Sequence, residues 1–352
     1  MKINHNNHGR TLKISFPIGY SIGLAILFLV CWCGLCEFFT RLESVQAALP
    51  AHSIGSANKK LEIKIAYLDQ LVRDEGPVDF IFLGGSDVNN SIDPEIFKQK
   101  YKAVTGEEPS CFIFGVDRLI PPAAALMAEI LVKKYRPKLI IWGLSPTSFS
   151  KKLSPRTKNI ILANPWCRIH LGKFNFEGWL SEHSYAYRYF LKFRIWLERP
   201  DYFKSILKAE SNTTKYGALR HPKKIKPLKL DPVRMTRFRR YLSSFKMSED
   251  AVIALKQILN YNEQIEIILV EIPVHRSILS LYPEGKKDHN KISHFIAEQA
   301  NAQGVLYIPT SQLELIPNNG WRNSNHMNIK GSRIFSEWLG EKLGKLARKG
   351  KI

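Results

Sequence analysis

Two residues stand out for chemistry. Ser86 closes the glycine turn Phe82-Leu83-Gly84-Gly85-Ser86-Asp87, and His326 lies in the polar run Trp321-Arg322-Asn323-Ser324-Asn325-His326-Met327-Asn328 near the C-terminus. A serine at the carboxyl end of a strand, beside glycines that let a substrate approach the backbone, is placed to attack a carbonyl. A loop histidine ahead of the last helix can reach the same strand ends and take the serine's proton. Backbone N–H groups near Gly85 and Gly115, the latter in Phe114-Gly115-Val116-Asp117, would then face an oxyanion, and Ser145 in Trp142-Gly143-Leu144-Ser145-Pro146 could add a side-chain donor. The plainer role of Ser86, Asp87 and Ser145 is to cap helices, worth roughly 1 kcal/mol each. The turn is not the Gly-x-Ser-x-Gly elbow, and no P-loop or Gly-x-Gly-x-x-Gly signature occurs.

Short apolar runs must carry these residues. Val78–Leu83, Cys111–Phe114, Leu139–Trp142, Ile265–Ile272 and Val305–Ile308 are nearly continuous in aliphatic and aromatic side chains, the pattern of strands buried on both faces. Helical spacing separates them at Pro121–Tyr135, Ser248–Asn260, Asp288–Gln303 and Lys330–Leu346, after a first amphipathic helix over Asn58–Leu71. The alternation predicts an α/β fold: a flavodoxin-like three-layer sandwich with about five parallel strands, its ligands at the strands' carboxyl ends.

Residues 150–247 interrupt the alternation. This stretch is aromatic and basic, with Tyr185, Tyr187, Tyr189, Phe190, Phe193 and Trp196 crowding one predicted helix. Lys223, Lys224, Lys226 and Lys229 follow, then Arg234, Arg237, Arg239 and Arg240. It reads as an insertion capping the sheet.

The 352 residues carry 52 lysines and arginines against 31 acidic residues, a formal charge of +21 that favours anionic partners such as a lipid surface or an acidic polysaccharide. Ile14–Cys36 is free of charge. As a helix it would span roughly 35 Å, enough to cross the hydrocarbon layer. Lys2, Arg10 and Lys13 precede it without an acid, so the positive-inside rule keeps residues 1–13 in the cytoplasm and exports the rest. A cleaved signal peptide would have a shorter apolar core, and Val45-Gln46-Ala47 is only a fair cleavage site, so an uncleaved anchor at 14–36 is expected. Residues 37–57 then read as a linker and 58–352 as the α/β domain with its insertion. Export argues against a nucleic-acid partner. Cys111 and Cys167 are the two cysteines of the exported part. Nothing in the sequence fixes the separation a disulfide between them would need. No cysteine or histidine spacing suits a structural metal, and no cofactor is expected.

Taken in order, the blocks at Ser86, Gly115, Gly143-Leu144-Ser145 and His326 resemble those of the SGNH hydrolase superfamily over about residues 78–346, the insertion excluded. The anchored arrangement, with Phe80–Ser86 followed by Ile92-Asp93-Pro94, is similar to envelope proteins of alginate acetylation and teichoic-acid D-alanylation. The resemblance implies a serine esterase or O-acyltransferase acting on an acylated envelope glycan, with a membrane-bound acyl-transfer partner. In it Ser86 is the nucleophile, His326 the base, Asn323 the orienting member, and Gly115 and Ser145 the oxyanion donors. Three departures qualify it. Ser86 stands in a Gly-x-Ser rather than a Gly-Asp-Ser turn, Ser145 replaces an asparagine, and Asn323 stands where the family has aspartate. An amide in that place weakens the triad severely in serine proteases, though asparagine orients histidine in cysteine-protease triads. The competing expectation is a non-catalytic protein of the same fold that binds a glycan or an assembly partner.

Overall fold

A computed structural model describes residues 18–222, 225, 228–310 and 313–352. Lys2, Arg10, Lys13, residues 14–17, Lys223, Lys224, Lys226 and Pro227 lie outside the described residues. Five strands, β1 (Phe80–Gly84), β2 (Cys111–Gly115), β3 (Leu139–Leu144), β4 (Glu266–Glu271) and β5 (Leu306–Ile308), form one parallel sheet in the order β2-β1-β3-β4-β5. The winding reverses between β1 and β3, and such a switch point opens a crevice at the strands' carboxyl ends.

The helices follow in chain order. The apolar α1 (Ile18–Arg41) leads into a short α2 (Glu43–Ala48) and then α3 (Lys59–Glu75), which Asn58 caps by accepting from the Lys60 and Leu61 amides. The six-residue α4 (Ser86–Ser91) directly follows the glycine turn after β1. Next comes α5 (Pro94–Thr105), started by the Asp93 cap and Pro94 and stopped by Gly106 in the left-handed region. α6 (Pro121–Tyr135) connects β2 to β3. The insertion is wholly helical where helices occur in it: α7 (Arg156–Ala163), α8 (Pro165–His170), α9 (Phe176–His183), α10 (Tyr185–Glu198), α11 (Pro200–Ser211) and α12 (Pro232–Leu242). α13 (Glu249–Asn260), α14 (Arg276–Leu279), α15 (Lys286–Ala302) and α16 (Ile329–Ala347) complete the chain, with a small antiparallel pair, β6 (Trp321–Asn323) and β7 (His326–Met327), ahead of the last helix.

Alternate strand residues feed two cores. Ile81, Leu83, Phe112, Phe114, Ile140 and Trp142 point to the side covered by α3, α6, α13 and α15. Phe80, Phe82, Ile113, Ile141, Ile268 and Val270 meet Val88, Phe97, Phe335 and Leu339 of α4, α5 and α16. Both faces are therefore buried, which explains the unbroken apolar runs.

At the carboxyl edge the register aligns three glycines, Gly84 with Gly115 on one side and Gly143 on the other. None has room for a side chain. A Cβ on Gly84 would lie 2.3 Å from Val88 Cγ2, one on Gly143 2.4 Å from the same atom, and one on Gly115 2.5 Å from Asn89 Cβ. α4 thus lies directly across three strands, and Ser86 is its first residue. From below, the fully buried Lys64 of α3 supports it, donating to Asn89 Oδ1 (2.7 Å), the Ile113 carbonyl (2.8 Å) and the Gly217 carbonyl.

The two ends of the insertion meet. Ser150 bridges Met247 in antiparallel fashion, and the Lys151 amide donates to the Lys246 carbonyl. The segment read as a linker is not loose. Ser53, Ile54 and Ser56 are buried, held by the Glu62 carboxylate, which accepts from the Ser53 hydroxyl (2.6 Å), the Ile54 amide (3.1 Å) and the Ser56 amide. Cys111 on β2 and Cys167 on α8 are both buried and both free thiols. Residues 20–35 of α1 are exposed throughout, which a core helix would not be.

A pH response follows from the buried titratable groups. Burial, with Arg188 alongside, pulls His52 down to about 3, and burial with Arg322 and Arg234 does the same to His326, also about 3, against 6.5 in a free histidine. Glu182 is lowered to about 2 by His170 and Lys134, which together outweigh its own burial. In each case the unfolded chain takes up a proton before the folded one does. The stability these three groups contribute is therefore fully present above about pH 6.5 and is lost progressively toward pH 3. Thermal unfolding in detergent across pH 7.5 to 3.5 should show a falling midpoint; a flat profile would contradict these environments.

Candidate active site

The sheet's carboxyl edge, α4, the loop after β3, the hairpin β6–β7 and α12 enclose a cleft of about 420 Å³. Ser86 and His326 both line it, with Ser86 Oγ 2.9 Å from His326 Nε2. The hairpin and the cap of α16 hold the histidine. Asn328 accepts from the Lys330 and Gly331 amides and donates to the Asn319 and Trp321 carbonyls, fixing the turn two residues beyond His326.

The other ring nitrogen decides what the pair can do. Three groups surround His326 Nδ1: Arg234 Nη1 at 3.2 Å, Arg322 Nη2 at 3.2 Å and Asn323 Nδ2 at 3.3 Å. The guanidinium groups can only donate. The amide orientation of Asn323 is fixed as well, because its Oδ1 accepts from the backbone amides of Asn325 (3.2 Å) and His326 (3.0 Å). Turning the amide over would set its NH2 against two N–H groups. Nδ1 therefore has to accept. In a neutral imidazole the proton then sits on Nε2 and is donated to Ser86 Oγ. A general base needs the opposite tautomer, with a carboxylate on Nδ1–H to stabilise the imidazolium. Here burial and, after it, two cations oppose that imidazolium, pulling the histidine down to about 3.

The remaining candidates divide. Gly85, Gly143 and Ser145 line the cleft. The Ser145 hydroxyl is hydrogen-bonded to Thr147 at 2.9 Å, and it forms no cap bond to the short helical turn that follows. Gly115 is not among the lining residues, and Asn89 fills the space beside it. Burial raises the Asp87 carboxyl despite the amides of Val88 and Gly85 beside it.

Sequence reasoning set Arg234 and Arg237 in the basic insertion but not in this cleft, and it passed over Arg118 and Arg322. Arg118, Arg234 and Arg237 line the cleft, and Arg322 stands behind the histidine. None of the four forms an ion pair among the described residues. Arg118 also holds a left-handed backbone, φ 58°, which costs a non-glycine residue on the order of 1 kcal/mol. Arg322 could have been found, one residue before Asn323 in the same block. Arg234 could not, since it comes from the insertion. Among the described residues no three His, Cys, Asp or Glu side chains gather as a metal site would require.

The chain is thus an α/β protein with a central five-stranded parallel sheet, one long apolar N-terminal helix and a Ser86–His326 contact. A comparison with protein-family models matched none, and a comparison with curated proteins found no relative.

Proposed function

We propose that this protein is anchored in a cell membrane by α1, with its α/β domain outside the cytoplasm, and that the Ser86 cleft binds an acidic, hydroxyl-rich envelope glycan without turning it over. The observation that carries this reading is the ring of three donors on His326 Nδ1. A site built to deprotonate serine needs an acceptor there. Arginines without acidic partners beside hydroxyls of Ser86, Ser145 and Thr147 suit a ligand bearing both carboxylates and hydroxyls. The charge asymmetry of Lys2, Arg10 and Lys13 supports the orientation.

A second reading keeps the SGNH-like chemistry: an acyl esterase or O-acyltransferase, working with a membrane-bound acyl donor. The 2.9 Å Ser86–His326 contact favours it. It requires an acceptor on Nδ1, which a carboxylate of the ligand would have to supply.

Calorimetry on the full chain in detergent separates the two. Oligouronate should bind, a neutral oligosaccharide of equal length should not, and Arg234→Gln should weaken the acidic ligand roughly 10- to 100-fold, the worth of one charge-assisted hydrogen bond. Equal affinity for both sugars would remove the first reading. Labelling by a fluorophosphonate that disappears in Ser86→Ala would install the second.

A further inference from the structure

Outside α1, every strongly exposed phenylalanine or tryptophan among the described residues falls in one stretch of the insertion. Phe174, Phe176 and Trp179 surround α9, and Phe190, Phe193 and Trp196 lie on α10, with exposures of 44% to 77%. Phe190, Phe193 and the exposed Leu197 recur at helical spacing on one face of α10. Phe176 stacks on Trp179 and Phe193 packs against Trp196, so these are ordered clusters on the surface. Soluble surfaces scatter such side chains singly.

The end of α1 is built into the same corner. Among the described side chains of α1, those turned toward the domain lie at its end: Cys36, Glu37 and Thr40 are half-buried, while residues 20–35 are exposed. Glu37 caps α10, accepting from the Ser184 hydroxyl (2.7 Å) and from the amides of Tyr185 (3.0 Å) and Ala186 (3.1 Å). Arg41 donates to the His183 carbonyl at the end of α9 (3.0 Å) and lies over the Tyr185 ring. If α1 crosses a bilayer, its exit is welded to the junction of α9 and α10.

We propose that the aromatic ridge of α9 and α10 rests in the interfacial layer of the same bilayer that α1 crosses. This rests on the anchor reading. The occupant is lipid because the ridge flanks on both sides the residues that hold the anchor's exit, His183 and Tyr185, and because its chemistry is interfacial. Tryptophan and phenylalanine supply area at the headgroup boundary, and the exposed Lys173, Arg194 and Arg199 beside them can extend to phosphates. The domain then does not swing on a tether. It is held in one attitude, at a fixed height for the cleft.

The test uses the full chain in phosphatidylcholine nanodiscs with brominated acyl chains. In wild type, Trp32 of α1 should be quenched. In a Trp32→Phe background, Trp179 and Trp196 should still be quenched by bromines placed near the headgroups, and replacing both by phenylalanine should abolish most of the remaining quenching. Phe190→Glu with Phe193→Glu should abolish it too, while the thermal midpoint in detergent stays put, since both side chains are exposed. Quenching of Trp32 with none at Trp179 and Trp196 would overturn the ridge and leave the anchor standing. No quenching of Trp32 would instead overturn the anchor.

Discussion

Asn323→Asp is expected to give this protein an esterase activity about 100- to 10⁴-fold above its starting rate on p-nitrophenyl acetate. The lower bound allows for the arginines, and the upper one is the cost of the reverse change in a serine protease. Aspartate keeps the Oδ1 that accepts the Asn325 and His326 amides. Its second oxygen takes the place of Nδ2, 3.3 Å from His326 Nδ1. The ring would then carry its proton on Nδ1, leaving Nε2 free to accept from Ser86 Oγ across the existing 2.9 Å. The new carboxylate would also screen Arg234 and Arg322, which add to burial in pulling the histidine down to about 3. Its pKa should rise, and a pH–rate inflection near neutrality should emerge where the parent has none. Nitrogen NMR of His326 reads the tautomer independently of turnover: protonated Nε2 in the parent, protonated Nδ1 in the variant. A variant no faster than the same variant carrying Ser86→Ala would show that the serine does not act as a nucleophile even with an acid in place.

Arg188→Met should be the most destabilising single change in the insertion, by about 3–5 kcal/mol, the usual cost of stripping one partner from a buried ion pair. Arg188 is almost fully buried on α10. It donates to Asp69 Oδ2 at 2.6 Å, to the Ser181 carbonyl and to Glu182 at 3.4 Å. Asp69 also accepts from Tyr135 (2.7 Å), and Glu182 from Trp166 (2.8 Å). One guanidinium therefore joins α10 to α3, and through those carboxylates to α6, α8 and α9. Lys134, 3.7 Å from Asp69, softens the loss and argues for the lower end of the range. Chemical denaturation in detergent measures it. Arg188→Met with Asp69→Asn should cost less than the two changes added separately, because the second removes the charge that the first leaves bare. Strict additivity would mean that the pair does not interact.

Much of the fold could be read from side-chain pattern, because burial on both faces leaves short apolar runs whose length and alternation with helical spacing mark them as strands. The strands begin and end a residue or two from the expected limits, since the ladder extends through Gly84, Gly115 and Gly143 and starts later at Phe80 and Leu306. α5 went unread although Asp93-Pro94 marks its start, because Lys98, Lys100 and Lys102 break up its apolar face. The site was legible in part. Ser86 and His326 are 240 positions apart, yet strand-end logic places both at one edge. Of the groups around the histidine, Asn323 was legible and the arginines were not. Arg234 arrives from 92 positions away, on a helix read as part of a basic insertion over the sheet and not as a neighbour of the histidine. The direction of the Asn323 amide is set by two backbone N–H groups, and no residue pattern encodes that.

The row formed by Gly84, Gly115 and Gly143 has a consequence for tracing ancestry. Those three positions answer to steric demand alone: α4 cannot cross the sheet if any of them gains a methyl group. The residues at the histidine answer to chemistry, and a lineage can trade an acid for an amide or acquire arginines without disturbing the sheet. Kinship to distant proteins should therefore outlast the reactive groups in this steric signature. A search for glycines closing three adjacent parallel strands, with a serine two residues beyond the middle one, is better suited to finding this protein's relatives than a search for its nucleophile and base.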